Sequence, residues 1–251
     1  MTTLQFASDL HIEFTHDDIP DPTEYITPTA DILILAGDIG SLYKFEQLKG
    51  FLSILTEMFQ AVLYIPGNHE YYTMNNHRSV TFSALEKRLE KLALEIPRLH
   101  ILNRSSVRIE DICIVGATLW SNPQCKIPPY IVRIHGMDTD KYKRYHLNDL
   151  SYIKKMTEYC HINKYRMIVV SHHPPSLQSL DGIKKKKNLS SLYATDLEHI
   201  LNKEDMELWI CGHTHRNMDF ISKGGCRVLS NQKGKPKDKV IDYRKDFVVN
   251  L

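Results

Sequence analysis

Five short apolar runs in this chain each stop at a carboxylate, an amide or an imidazole. That recurrence limits the fold more than any other feature. Thr3-Leu4-Gln5-Phe6-Ala7 leads into Ser8-Asp9-Leu10-His11, and Asp31-Ile32-Leu33-Ile34-Leu35-Ala36 leads into Gly37-Asp38. Ala61-Val62-Leu63-Tyr64 leads into Ile65-Pro66-Gly67-Asn68-His69-Glu70. Met167-Ile168-Val169-Val170 ends in Ser171-His172-His173-Pro174-Pro175, and Glu207-Leu208-Trp209-Ile210 ends in Cys211-Gly212-His213-Thr214-His215. Short apolar runs bounded by turn residues read as strands covered on both faces. Gly and Pro at their ends turn the chain and free the next polar side chain to project. Ligands of open α/β sheets bind at the carboxyl ends of the strands. Five such ends lying side by side would gather their carboxylates and imidazoles at one point.

The segments between these runs supply the other layers. Phe45 to Phe59 and Val80 to Leu94 carry apolar residues at helical spacing, so the first hundred residues read β-α-β-α-β. Short β-type runs follow at His100–Leu102, Val107–Ile109 and Ile112–Ala117. Residues 120–146 read as a long irregular insert, expected to form a lid or substrate wall. Leu147 to Cys160 returns to helical spacing, and Leu192 to Leu201 reads as a short helix. Arg227–Ser230 and Phe247–Val249 are expected as strands of a second sheet, with a flexible basic loop, Lys233–Lys239, between them. Lys184–Lys187 reads as a solvated loop tip. With no internal repeat and no linker, residues 1–251 are expected to form a single domain.

Composition narrows the function classes. A formal charge of +2 gives no strong field toward nucleic acid or membrane. The five cysteines are an odd number and none forms a CxxC pair, which favours a reduced, cytoplasmic setting over a disulfide framework. No apolar run reaches the roughly 18 residues of a membrane span. The N-terminus has no basic region followed by an apolar core, so a signal peptide is not expected. The 13 histidines direct attention to metal sites.

The strand-end ligands are oxygen and nitrogen donors with no thiolate. That set suits Mn, Fe, Zn, Co or Ni better than a structural zinc or an all-oxygen calcium site. Seven candidates exceed what one catalytic ion takes. Two divalent ions about 3.5–4 Å apart, bridged by a carboxylate, would use them all and clamp a phosphoryl oxygen.

Asp9-x-His11, Gly37-Asp38, Gly67-Asn68-His69-Glu70, His172 and Gly212-His213-x-His215, in that order, resemble the calcineurin-like metallophosphoesterase superfamily. The match spans nearly the whole chain. Gly116-Ala117-Thr118-Leu119-Trp120, Asn148-Asp149, His172–Ser176 and Tyr193–Leu197 are further similar to a compact, mostly bacterial-type branch of small single-domain members. The resemblance implies an α/β fold, a two-sheet β-sandwich flanked by helices in four αββα layers. It implies hydrolysis of a phosphate mono- or diester by a metal-bridging hydroxide, with manganese the expected metal. Asp9, His11 and His215 would hold one ion, Asn68, His172 and His213 the other, and Asp38 would bridge them. His69 matches the residue that protonates the leaving oxygen or stabilises the transition state. His173 is expected behind the ligands or facing substrate, as are Glu70 and Asp149.

One departure stands out. In the phosphoprotein phosphatases the Gly-Asp motif continues to a second Asp that orients the catalytic His, and Ser41 occupies that position here. Another acid, Glu70 or Asp149, could take the role, or His69 could stay neutral and act by hydrogen bonding. The departure disfavours a protein Ser/Thr phosphatase. The expected partner is a small-molecule or nucleotide phosphate ester. A nuclease served by the basic loops is an alternative, since backbone binding needs clustered Lys and Arg. A non-catalytic scaffold of the same fold is another.

Overall fold

The computed structural model describes residues 2–16, 18–74, 79–182 and 187–251. Eleven strands and three α-helices are seen among them. The strands are β1 (Thr3–Ala7), β2 (Ile32–Ala36), β3 (Ala61–Ile65), β4 (Leu99–Ile101), β5 (Ser105–Ile109), β6 (Ile112–Ala117), β7 (Arg166–Ser171), β8 (Leu208–Ile210), β9 (Met218–Ile221), β10 (Arg227–Ser230) and β11 (Val248–Asn250). The helices are α1 (Phe45–Met58), α2 (Phe82–Glu95) and α3 (Thr139–Asn163).

The strands form two mixed sheets. The first has the order β11-β1-β2-β3-β4, with β1 to β4 parallel and β11 antiparallel at one edge. The second has the order β5-β6-β7-β8-β10-β9, parallel except at its two edges. Strand side chains alternate between faces, and the core divides accordingly. Leu4, Phe6, Ile34, Leu63 and Ile65 point inward and meet Ile114, Ile168, Val170 and Ile210 of the other sheet. The alternate residues Leu33, Leu35, Val62 and Tyr64 pack outward on Leu48, Phe51, Leu85 and Leu89 of α1 and α2. Val115, Val169 and Trp209 pack outward on Ile153 and Cys160 of α3. The result is the four-layer αββα sandwich. Runs without polar alternation are apolar because both faces of these strands are covered. No helix among the described residues is long and apolar enough to cross a membrane.

Four expectations change. The five ligand-bearing strands do not lie in one sheet, since β1, β2 and β3 belong to the first and β7 and β8 to the second. The last strand also joins the first sheet, where Val249 pairs with Leu4. The helix expected from Leu147 begins at Thr139, because the Asp138 side chain caps it by accepting from Lys141 N at 2.8 Å. That leaves a shorter irregular insert. Residues 192–201 form no α-helix. The amides of Thr195 and Leu197 donate to the carbonyls of Pro174 and Pro175 instead of up a helix, leaving only a 3-10 turn at Glu198–Ile200. The Lys184–Lys187 run lies outside the described residues except for the backbone of Lys187.

Candidate metal centre

All five motifs leave the carboxyl ends of parallel strands, and the two sheets present those ends to one another. The turns after β1 and β2 are sewn together by Asp9 N to Gly37 O at 2.9 Å and His11 N to Asp38 O at 3.0 Å. Gly212 N to His172 O, at 2.9 Å, does the same in the second sheet. Side chains then tie the turns further. Asp9 accepts from His213 N at 3.1 Å across the two sheets, and Asp38 Oδ1 accepts from His69 N at 2.7 Å within the first. A Cβ on Gly37 would meet His172 Nδ1 at 2.4 Å, and one on Gly67 would meet Asp38 Oδ1 at 2.3 Å. Both glycines are required because ligands of neighbouring strands lie directly over them. Asp9, His11, Asp38, His213 and His215 all have positive φ, a backbone region costly for side-chain-bearing residues and concentrated at functional sites.

Three groups of ligand atoms result; one is His11, Glu13 and His69, and the other two hold the candidate strand-end ligands. Asp9, His11, Asp38 and His215 converge in one; Asp38, His172 and His213 converge in the other. Asp38 belongs to both. Asn68 Oδ1, 3.0 Å from His172 Nε2, joins the second. The seven residues named from the sequence therefore lie close together, with Asp38 common to both groups.

The chemistry of this arrangement calls for cations. His11 Nε2 and His215 Nε2 are 2.9 Å apart, and His172 Nε2 and His213 Nδ1 are 3.2 Å apart. In the first pair both Nδ1 atoms face carboxylates, which turns the two Nε2 lone pairs toward one another and makes a place for a shared positive charge. His213 Nε2 is buried and has no hydrogen-bond partner. Burial pushes His11 down to about 3, keeping it in the neutral form that a ligand requires. Burial also opposes charge on His172, but Asp38 and Asp9 outweigh it and raise this imidazole to about 9. The carboxylates thus recruit positive charge, and a divalent ion would supply it without a proton. The residues fit a pair of divalent cations.

His69 is not among these ligands. Its Nδ1 lies 3.0 Å from Glu13 Oε1, and its ring packs between Phe14 and Tyr72, with centroids at 5.9 and 4.5 Å. The same oxygen of Glu13 lies 3.0 Å from His11 Nδ1. Glu13 thus holds a candidate metal ligand and the candidate catalytic histidine together. Lys235 Nζ lies 3.0 Å from His69 Nε2. With Nδ1 donating to Glu13 and Nε2 accepting from Lys235, the ring is neutral, and burial lowers its pKa in the same sense.

Glu13 corrects the expected orienting acids. Glu70 faces the backbone, where its carboxylate accepts from Gly67 N (2.8 Å), Ile39 N (2.8 Å), Asp38 N (3.1 Å) and Tyr64 Oη (2.6 Å). It staples the β2 and β3 turns. Asp149, on α3, accepts from Arg104 Nη1 at 2.6 Å and Leu119 N at 2.8 Å. Ser41 only caps the following turn through Tyr43 N. His173 stacks on His213 with centroids 4.1 Å apart and reaches the Tyr142 hydroxyl at 3.1 Å, so it stands behind a ligand. Burial and the neighbouring His172 push it down to about 3.

Three residues went unread in the sequence. Glu13 had a visible signal, an acid two positions after a ligand histidine. Lys235 and Asp238 had none, since the 233–239 segment reads as a mobile basic loop. It is instead a 3-10 turn in which Asp238 Oδ2 accepts from Lys235 N at 2.9 Å and lies 2.5 Å from His215 Nδ1.

A cavity of about 350 Å³ opens over Asp38, Asn68, His69, His213 and His215. Lys235 and Lys237 form one side, Tyr72 and Tyr130–Arg133 another, and Leu192 and Tyr193 a third. Tyr130–Arg133 come from the insert, which supplies a wall. Thr73 N donates to Arg133 O at 2.7 Å and fixes it there.

The calcineurin-like phosphoesterase profile matches residues 3–217. The chain belongs to the calcineurin-like phosphoesterase family. The chain is 26% identical over 264 residues to the uncharacterised protein L509 of Acanthamoeba polyphaga mimivirus, covering 93% of this chain and 91% of that one. The fold is similar to that of the phosphopantetheinyl hydrolase PptH from Mycobacterium tuberculosis, with a TM-score of 0.75 and 16% identity over 98% of this chain and 94% of the other. It is also similar to a dimetal phosphatase from Danio rerio, with a TM-score of 0.57 and 12% identity over 97% and 89% of the two chains. Each of the five ligand motifs lies within the region of the phosphoesterase profile, whereas Lys235 and Asp238 lie beyond it.

Proposed function

We propose that the chain hydrolyses a small phosphate mono- or diester with two divalent cations, manganese first among the candidates and iron, zinc, cobalt or nickel also suited to the donors. The observation that carries this reading is the placing of Asp38 in both ligand groups. One carboxylate shared between two sets of donors is what a pair of ions needs and what a single ion does not. The dimetal phosphatase with a similar fold supports it.

Bound there, the ions would polarise phosphoryl oxygens and acidify water. The protein's own groups do the rest. Asp9, His11, Asp38 and His215 would fix one ion, and Asp38, Asn68, His172 and His213 the other. His69, held by Glu13, presents Nε2 to the cavity beside the ligands, the place for a group that meets the leaving oxygen. Tyr72 and the Tyr130–Arg133 wall narrow the approach to the ligands. A cavity of about 350 Å³ suits a small ester or nucleotide better than a polymer.

Manganese-dependent turnover of p-nitrophenyl phosphate and its bis ester tests this reading, with an Asp38→Ala protein as the blank. Turnover equal to the blank across all five metals would refute it.

A further inference from the structure

The 3-10 turn Pro236–Asp238 sits beyond the family profile, yet it delivers a cation into the cavity. Its position is built, not incidental. Lys233 N donates to Ser8 O at 3.1 Å, and Gln232 Oε1 accepts from His215 N at 2.6 Å, so the segment is tied to the metal-binding turns on both sides. Asp238 then binds the backbone of Lys235 and the ring of His215 with one oxygen. The Lys235 ammonium is left 3.0 Å from His69 Nε2 and 5.6 Å from the Phe14 ring centroid. Among the described residues the ammonium forms no salt bridge; the groups it meets directly are an imidazole and an aromatic ring, with the Asp238 carboxylate near enough to feel its charge.

We propose that Lys235 is the phosphate-binding cation of this site and that it makes the site prefer phosphate monoesters. The inference rests on the phosphoesterase reading for the word ester, but not for the phosphate. An ammonium beside His69 Nε2 faces the volume in which a phosphoryl group over Asp38 and Asn68 would carry its outer oxygens. When an anion enters, the ammonium exchanges a neutral ring nitrogen for a charged oxygen, which is the stronger hydrogen bond. Coulomb attraction grows with charge, so a monoester dianion gains more than a diester monoanion. A diester must also place its second substituent against the space that Lys235 fills. Lys237 and Arg133 line the same cavity and extend the positive rim.

The test uses the full-length manganese-loaded protein, with Lys235→Met and Lys235→Arg. Inorganic phosphate is titrated calorimetrically, bound metal is measured by mass spectrometry, and melting is followed by circular dichroism. K235M is expected to keep its metal and weaken phosphate binding by about 10- to 100-fold, the size of one lost charge-assisted bond. K235R should recover most of that. With K235M, kcat/KM for p-nitrophenyl phosphate should fall at least about tenfold, while that for the bis ester falls by less than about threefold. A phosphate affinity within about twofold of wild type, with metal retained, would overturn the assignment and leave Lys235 only packing the turn. Equal losses for both esters would overturn the monoester preference. If wild type binds phosphate through Lys235 but cleaves neither ester, the phosphate site stands and the hydrolase reading fails.

Discussion

The two ligand groups of the proposed centre are not equivalent, and the difference lies behind the ligands. In the first, both histidines are backed by carboxylates: His11 by Glu13 at 3.0 Å and His215 by Asp238 at 2.5 Å. In the second, His172 Nδ1 meets only the Ala36 carbonyl at 2.9 Å, and the fourth donor is the neutral Asn68. A carboxylate behind an imidazole raises its basicity and fixes its orientation. The first group also holds two of the aspartates, against one in the second. Charge and preorganisation therefore both favour the first place. The expected centre has one ion that stays and one that exchanges.

Asp38 is where the asymmetry should vanish, since it serves both groups. Asp38→Asn is expected to empty both places and to cost several kcal/mol of transition-state stabilisation, three or more powers of ten in turnover. Metal counting and steady-state kinetics check this together. A variant retaining one equivalent would mean the carboxylate serves one ion only. His69→Ala should come next. It is expected to keep both metals and lose about 10²- to 10⁴-fold in turnover, the range of a lost proton-transfer group. Loss of metal with the ring would move His69 into the ligand set.

Asp238→Asn bears directly on the comparison. It leaves every ligand in place and removes only the charge behind His215. Affinity at the first place is expected to fall by about 10- to 100-fold, with the second unchanged. Competition with a chelator, followed through a cobalt spectrum, would resolve the two. Equal weakening of both ions would show that the carboxylate acts through the general field and not through His215.

The same asymmetry separates what the sequence revealed from what it hid. Strand-end ligands are legible because a buried strand forces an apolar run, and the run marks the next polar residue. Asp9, Asp38, Asn68, His172 and His213 were all found that way, as was the αββα layering. The order of the strands was not, because no local pattern says which sheet β7 or β11 will join. Groups behind the ligands come from turns, where composition constrains little. Glu13 sits in a 3-10 turn, and Lys235 and Asp238 in another that reads as a solvated basic loop. Glu70 and Asp149 illustrate the converse. Each is an acid near a motif, yet Glu70 serves mainly the backbone and Asp149 serves Arg104 and the backbone, uses that burial reveals and residue type does not.

Asp149 offers the smallest test, and it asks whether supports in the second sheet reach the second ion. Burial raises its carboxyl to about 6, with Arg104 pulling it back down. A carboxyl raised above its unfolded value contributes stability that is complete below that value, and loses it as pH rises through 6. Above that point the folded protein holds the carboxylate, and Arg104 is what offsets its burial. Arg104→Met should therefore matter little at pH 5 and more at pH 7.5. Removing one partner of a fully buried pair costs about 3–5 kcal/mol. The Arg104 side chain is 31% exposed, and solvent screening reduces this to about 1–2 kcal/mol, a few degrees in melting temperature. Melting curves at the two pH values check the sign, and a larger loss at pH 5 would contradict it. Metal content decides the rest. Both ions should be retained, because Asp149 holds Leu119 N and not a ligand. Selective loss of the second ion would instead show that its weaker place depends on the α3 staple as the first depends on Glu13 and Asp238.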